Sequence, residues 1–221
     1  INTSDFKLSM VTQALAHPVT WINGFIVMGI FMCVSACTYL NPYLSGVFGT
    51  SVGFATSFAI INRSIMRILV CGVGGLLLDK LRTPKFLIIC SIVGAVILLP
   101  INSIEQSNSS MMIAIIICLA FIAVLNMSRS GMYTPIPEAK MPMAITGTAM
   151  GICSAIGYSS DLWLYSLCGK WLDQYGNDGF RYVIYLIIAS LALVVVCSLL
   201  LHVYEKKHNV FDEEAAYITL K

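Results

Sequence analysis

Two arginines interrupt an apolar stretch that is long enough to cross a membrane. They are Arg63 and Arg67, and the stretch runs from Phe54 to Leu78. An arginine at the centre of a transmembrane helix costs about 2.5–3.5 kcal/mol, so two without partners cost on the order of 6 kcal/mol. Such charges persist only where they face protein or water and bind something. The simplest partner is an anion, and the sequence therefore predicts an anion pathway through a membrane.

The composition indicates a membrane protein. Hydrophobic residues make up 58% and charged residues 11% of the chain, whereas soluble domains carry about 25% charged residues. A net charge of +2 does not indicate nucleic-acid binding. Most of the eight cysteines lie in apolar runs without the C-x₂-C spacing of zinc sites, so we expect neither a metal nor another cofactor. Motifs of ATPases, metalloproteases and acyl hydrolases are lacking, and we expect no enzyme activity.

The apolar runs predict an all-α polytopic membrane protein with six spans. Each is close to the 20 or so residues that a bilayer requires, and they cover roughly 19–40, 54–78, 85–101, 111–128, 144–167 and 181–203. Lys and Arg concentrate on the side that holds both termini. That side carries Lys7, Lys80, Arg82, Lys85, Arg129, Lys140, Lys206, Lys207 and Lys221, against Lys170 and Arg181 on the other. The bias predicts cytoplasmic termini and a cell (inner or plasma) membrane.

The chain divides into a bundle and two flanking segments. Residues 1–17 mix apolar and polar residues and predict a short amphipathic helix or linker on the cytoplasmic face, with a partly ordered tail as the alternative. Residues 18–204 form the predicted bundle, and 205–221 a solvated cytoplasmic tail. Because the first residue is Ile and not Met, we expect the sequence to be a piece of a longer polypeptide.

Two spans carry stripes of small and polar residues at steps of three and four, which place them on one helical face. The stripe of span 2 is Thr56, Ala59, Arg63, Arg67, Val70 and Gly74, and that of span 5 is Gly147, Gly151, Ser154, Tyr158, Asp161 and Tyr165. Gly147 and Gly151 favour close packing against another helix. Spans 3 and 6 are apolar nearly all round, which is typical of helices at the periphery of a bundle.

These stripes predict a binding site. We expect Arg67 to contact the substrate and Arg63 to be shared between the substrate and Asp161, since an intramembrane charge indicates function. The further candidates for substrate binding are Asn62, Tyr39 and Tyr158. The alternative is that one or both arginines pair with carboxylates of a partner outside this chain.

The segment that closes span 2 contains a short signature. It reads Gly75-Leu-Leu-Leu-Asp79-Lys80-Leu-Arg82-Thr-Pro-Lys85. This resembles the loop signature of the major facilitator superfamily, G-x-L-A-D-R-x-G-R-K. Gly75, Asp79 and Lys80 match by position, whereas Arg82 replaces the expected glycine and Thr83 the first expected arginine. Arg82 and Lys85 keep the loop basic.

Two more segments extend the resemblance over nearly the whole chain. Residues 17–21 and 38–44 look like the start and end of the seventh helix of that fold, and residues 138–142 and 146–161 look like the eleventh. Together they are similar to bacterial permeases related to sugar-phosphate and organic-anion transporters. The resemblance covers only the second, C-terminal six-helix half of the fold.

The resemblance implies that the spans have different roles. Spans 1, 2, 4 and 5 would line the cavity, spans 3 and 6 would be peripheral, and Asp79 would act in gating by meeting the positive N-terminus of span 5. The implied partners are a small anionic solute, the lipid bilayer and an N-terminal six-helix half on the same or another chain.

Residues and resemblance together predict the C-terminal half of a secondary active transporter that moves a small organic or phosphorylated anion by alternating access. One alternative is a membrane sensor, receptor or partner subunit that keeps the fold without transporting. Others are a half-size transporter that pairs with another copy or chain, and transport of a cation or neutral solute.

Overall fold

The computed structural model describes residues 8–60, 66–104 and 108–208, and all regular structure in these ranges is helical. The predicted all-α fold is confirmed. The helices are α1 (Leu8–Ala16), α2 (Pro18–Ala36), α3 (Leu40–Phe48), α4 (Val52–Ile60), α5 (Met66–Lys80), α6 (Thr83–Leu98), α7 (Asn108–Ser130), α8 (Pro135–Glu138), α9 (Met143–Ser159), α10 (Asp161–Tyr175) and α11 (Gly179–Lys207).

Four helical segments within these ranges are long and apolar enough to cross a membrane. They are Pro18–Phe48, Thr83–Ser103, Ser110–Ser130 and Met143–Lys207. The last has 65 residues and would measure about 98 Å as one straight helix, about three times the hydrocarbon thickness. It turns at Gly176, where φ is +56°, and so separates α9 and α10 from α11. The second predicted span falls on α4 and α5, which flank residues outside the described ranges, and the count of six spans stays a prediction.

The first span extends further than the sequence suggested. We expected Asn41 and Pro42 to close it, but the chain passes through a 3-10 turn at Cys37–Tyr39 into α3 and ends at Gly49, where φ is +66°. Pro42 is the third residue of α3, within the first turn, where the backbone has no intrahelical acceptor for an N–H group. The 3-10 turn thus allows a new helix, α3, to begin just before the proline.

Helix α2 is the centre of the packing, and glycines bring its neighbours close. A Cβ on Gly29 would lie 2.7 Å from Val194 Cγ2 and 3.0 Å from Ser190 O of α11. A Cβ on Gly157 of α9 would lie 2.7 Å from Val27 Cγ1 of α2. Small residues permit this close approach of helix backbones in membranes. Both α9 and α11 are therefore fixed against α2.

The glycine pair that we expected to pack closely against another helix lies on an open face of α9. Gly147 and Gly151 are exposed, and a Cβ on either would meet no heavy atom of the described chain within 4 Å. The packing prediction is wrong within these residues. The stripe correctly groups the two on one face of α9, but that face is open, and the opposite face, with Cys153 and Gly157, is the buried one.

Helices α6 and α11 each have one buried and one exposed apolar face. On α11, Ile187 and Val194 are buried whereas Leu200 and Val203 are exposed. On α6, Leu87 is buried and Val96 is exposed. Both helices are apolar nearly all round for two reasons. One face packs against α2 or α7, and the opposite face is suited to contact with lipid.

Replacing Gly29 by alanine is expected to destabilise the bundle, because the new methyl group would collide with the α11 backbone at Ser190. Overpacking of this kind costs about 1–3 kcal/mol. Gly151→Ala is the matched control, since it adds the same methyl group in open space and improves helix propensity. Thermal unfolding in detergent measures both variants. Equal midpoints for the two would contradict the packing described for α2 and α11.

Candidate functional site: a cavity with two arginines

A cavity of about 380 Å³ lies between α2, α5, α7 and α10. Its walls come from these four helices, from the 3-10 turn that follows α2 and from the start of α3. They comprise Phe31, Val34, Ser35, Cys37, Thr38, Asn41, Arg67, Ile122, Leu125, Asn126, Arg129, Asp161 and Tyr165. Its volume is within the usual range for small-molecule sites, and a few polar groups converge among apolar walls.

Arg67 lines this cavity from the first turn of α5, with an exposed side chain. One turn further along, the Cys71 thiol donates to the Asn126 carbonyl oxygen of α7 at 3.6 Å. A further turn along, a Cβ on Gly74 would lie 2.7 Å from Ser130 Oγ and 3.2 Å from Met127 O. These contacts fix α5 against α7 and hence fix the base of the Arg67 side chain.

Arg129 also lines the cavity, from the last turn of α7. Sequence reasoning assigned it to a loop, because the predicted fourth span ended at residue 128. Helical side chains lean toward the N-terminus of their own helix, so an arginine at the end of α7 reaches back into the bundle. Arg67 and Arg129 line the same cavity from neighbouring helices, so their positive charges repel each other.

Asp161 is the carboxylate of the cavity, and its bonded partner is Ser35. The Ser35 hydroxyl of α2, which is 5% exposed, donates to Asp161 Oδ1 at 2.6 Å. Asp161 begins α10 where the chain bends after α9, and the N-terminus of a helix favours a negative charge. Within the described residues, neither Arg67 nor Arg129 forms an ion pair with a carboxylate. The predicted partner Arg63 and the candidate Asn62 both lie outside those residues.

The two candidate tyrosines support the walls of the cavity. Tyr39 donates its hydroxyl to the Tyr165 carbonyl oxygen at 3.2 Å. The Tyr158 ring packs on Phe31 with 4.3 Å between ring centroids. Phe31 and Tyr165 line the cavity, so each tyrosine contacts one residue of the wall. The role of either tyrosine in binding stays a prediction.

Polar amides and a hydroxyl complete the lining. Asn126 Nδ2 donates to the Ile122 carbonyl oxygen at 3.0 Å, and the Thr38 hydroxyl donates to the Ser35 carbonyl oxygen at 2.6 Å. Asn41 Oδ1 is buried and has no hydrogen-bond partner in the described part of the chain.

The loop signature joins α5 to α6 through Leu81 and Arg82 alone. Gly75 lies on α5, Asp79 and Lys80 are exposed in its last turn, Arg82 is half-buried, and Lys85 is exposed on α6. We expected Asp79 to meet the N-terminus of the fifth span. No hydrogen bond of Asp79 is found among the described residues, and its gating role stays a prediction.

A different carboxylate, that of Glu138, meets a helix N-terminus at this end of the bundle. Glu138 ends α8, and its Oε1 accepts the Thr83 hydroxyl at 2.6 Å while its Oε2 accepts the Thr83 backbone N–H at 3.3 Å. Both bonds fall in the first turn of α6, where free N–H groups favour a carboxylate. Thr83 Oγ1 also lies within hydrogen-bond distance of Thr134 Oγ1, at 2.9 Å. The connection between α7 and α9 is thereby held to α6.

All eight cysteines are free thiols. Over residues 8–60, 66–104 and 108–208, no group of three or more His, Cys, Asp or Glu side chains is placed to hold a metal ion. The polar side chains that line the cavity carry guanidinium, carboxylate, amide and hydroxyl groups, beside the Cys37 thiol. Groups of this kind bind a solute by hydrogen bonds and charge.

Comparison with known proteins identifies the family. The profile of the family described as "Sugar (and other) transporter" matches residues 11–216. Two relatives come from Escherichia coli strain K12. Inner membrane protein YqcE is 31% identical over 203 residues, which cover 89% of this chain and 47% of that protein. Inner membrane protein YihN is 26% identical over 215 residues, which cover 95% of this chain and 51% of that protein.

No solved structure matches the chain. The chain spans about half the length of the curated relatives it matches. Its apolar helices and its relatives in the inner membrane make it an integral membrane protein. The length of the profile match, from residue 11 to residue 216, places the chain in the sugar (and other) transporter family, within the major facilitator superfamily.

Proposed function

We propose that this chain is the C-terminal half of a secondary active transporter that carries a small organic or phosphorylated anion by alternating access. Family membership supports a transporter-like role in the membrane, and the anionic substrate is argued from the cavity. The observation that carries the proposal is Arg67, which lines a cavity and has no ion pair among the described residues. A guanidinium group in such a place favours a negatively charged guest.

Arg67 binds the anion through charge-assisted hydrogen bonds. These bonds are about twice as strong as neutral ones, and the planar guanidinium can donate two in parallel to a carboxylate or phosphate. Apolar side chains such as Val34 and Ile122 form part of the same wall and lower the local dielectric, which strengthens the attraction. Asn41 offers an amide to the uncharged part of the solute.

Asp161 competes with the anion for positive charge. It lines the same cavity as Arg67, and its bond to Ser35 orients one oxygen and leaves the other open to a guanidinium. An empty cavity is thus partly neutralised by the protein itself. This keeps the cost of the buried charge low between transport cycles, and it lets the anion leave.

The second half of the transporter supplies the opposite wall. In this family, substrate sites lie near the midplane between two halves that rock against each other. The loop signature, with Gly75, Asp79, Lys80, Arg82 and Lys85, lies where α5 meets α6 and is proposed to control that rocking. Glu138 ties the same end of α6 to α8, so movements of this end are shared by several helices.

Replacing Arg67 by glutamine is expected to lower anion uptake at least tenfold, because the variant loses a charge-assisted bond of about 1.5–3 kcal/mol. The full polypeptide is reconstituted into liposomes, and uptake is measured for a panel of organic phosphates and carboxylates beside a neutral hexose. Lys170→Gln is the control, since it removes one positive charge from an exposed site outside the cavity.

Unchanged uptake by Arg67→Gln would remove Arg67 from the site. Preferred uptake of the hexose by the wild type would contradict the anionic substrate. Anion binding without uptake would favour the sensor or receptor alternative.

Replacing Asp161 by asparagine is expected to lower the KM for the anion several-fold, because the cavity loses its competing negative charge, and to slow release of the anion. The variant keeps a side chain that can accept the Ser35 hydrogen bond, so the protein should remain folded. Initial uptake rates over a range of anion concentrations measure KM and kcat separately. A higher KM in the folded variant would show that Asp161 helps to bind the anion, contrary to the proposed competition.

A further inference from the structure

Arg129 and Arg67 face one cavity from two neighbouring helices. Arg67 comes from the first turn of α5 and Arg129 from the last turn of α7, and the two charges act on each other. The positions of the two helices fix the points from which both side chains enter the cavity.

The contact between α5 and α7 is close and lies next to both arginines. Gly74 places the α5 backbone against Met127 and Ser130, and Cys71 is hydrogen-bonded to the carbonyl of Asn126. Tightly packed helices do not slide apart to relieve a local repulsion, since separating them would open a void. The two side chains therefore start from fixed points on adjoining helices, and a negative charge placed between them relieves their repulsion.

The number of charges on that guest decides how well the repulsion is relieved. A singly charged group pairs with one guanidinium fully and with the other only in part. A head group with two negative charges spread over several oxygens accepts bonds from both guanidiniums along separate edges, which is the geometry that arginine favours. Asp161 offsets part of this positive charge, but it forms no ion pair with either arginine in the described structure and one of its oxygens is bonded to Ser35, so the place between the guanidiniums stays open to a guest.

We propose that Arg129 is a second anion-binding residue and that the pair of Arg67 and Arg129 makes the cavity select doubly charged over singly charged anions. The inference rests on the proposed anion transport and adds its charge selectivity. Arg67 is required for any anion, and Arg129 sets the preference for the second negative charge. The cavity volume of about 380 Å³ suits a small solute that carries such a head group.

The test compares two probes that differ by one charge. Methyl phosphate is mainly a dianion at about pH 7.5, because the second pKa of a phosphate monoester is about 6, and dimethyl phosphate is a monoanion. The affinity of the full polypeptide for each is measured by competition against uptake of the best anion of the panel. The wild type is expected to bind methyl phosphate about tenfold more tightly, the difference made by one charged hydrogen bond.

Arg129→Gln is expected to reduce this preference to less than about twofold, whereas Arg129→Lys keeps the second charge and should retain most of it. Arg67→Gln should weaken the binding of both probes. Lys170→Gln, which removes a positive charge outside the cavity, should keep the full preference. A residue with only a structural role would change the affinity for the two probes equally and leave their ratio unaltered.

The wild-type comparison tests the inference without any variant. Equal affinity of the wild type for the two probes would overturn it, as would an unaltered preference in folded Arg129→Gln. In either case, anion uptake that depends on Arg67 would leave the proposed function standing. If the wild type binds and transports no anion at all, the proposed function fails and the inference fails with it.

Discussion

A guanidinium group inside a membrane protein must be hydrated, paired or bound, because the hydrocarbon around it can do none of these. The arrangement of α2, α5, α7 and α10 meets this requirement by enclosing a cavity around Arg67. Serine, threonine, asparagine and aspartate side chains line the same space. The apolar faces that point the other way, such as those of α6 and α11, carry no such groups and can face lipid. The polar and apolar surfaces are separate because the charged Arg67 side chain lines the cavity and not the outer faces.

The site depends on packing at a distance from it. Glycines at Gly29 and Gly157 bring α11 and α9 against α2, and α2 carries Ser35, which orients Asp161. Gly74 does the same for α5 and α7, the helices that bear the two arginines. Side chains in close-packed interiors have few alternative positions. A substitution at one of these glycines therefore changes the geometry of the charges as well as the stability of the bundle.

The sequence predicted the helical class, the approximate positions of the apolar segments and a shared polar site for Arg67 and Asp161, which do line one cavity. These follow from hydropathy and from the cost of buried charge, which are local properties. The proximity of Arg129, the bond between Ser35 and Asp161 and the open face at Gly147 and Gly151 depend on how helices rotate against each other. A three-four stripe shows which residues share a face, but it does not show what lies opposite that face. Arg129 was missed for a further reason, since the predicted fourth span ended two residues before the end of α7 and left Arg129 in a loop.

The exposed side chain of Arg67 bears on how the proposed transporter would work. On this half alone, water reaches Arg67, and its attraction for an anion and its repulsion by Arg129 are both screened. The curated relatives are about twice as long as this chain, and a second half that covers the open face of α5 and α9 would exclude that water. Both forces would then grow together as the cavity closes. Asp161 offsets only part of the positive charge, so an empty cavity would resist closure because of the remaining repulsion between the arginines, whereas an anion between them would favour it. Charge alone would thus couple occupancy of the site to its closure, which an alternating-access transporter requires.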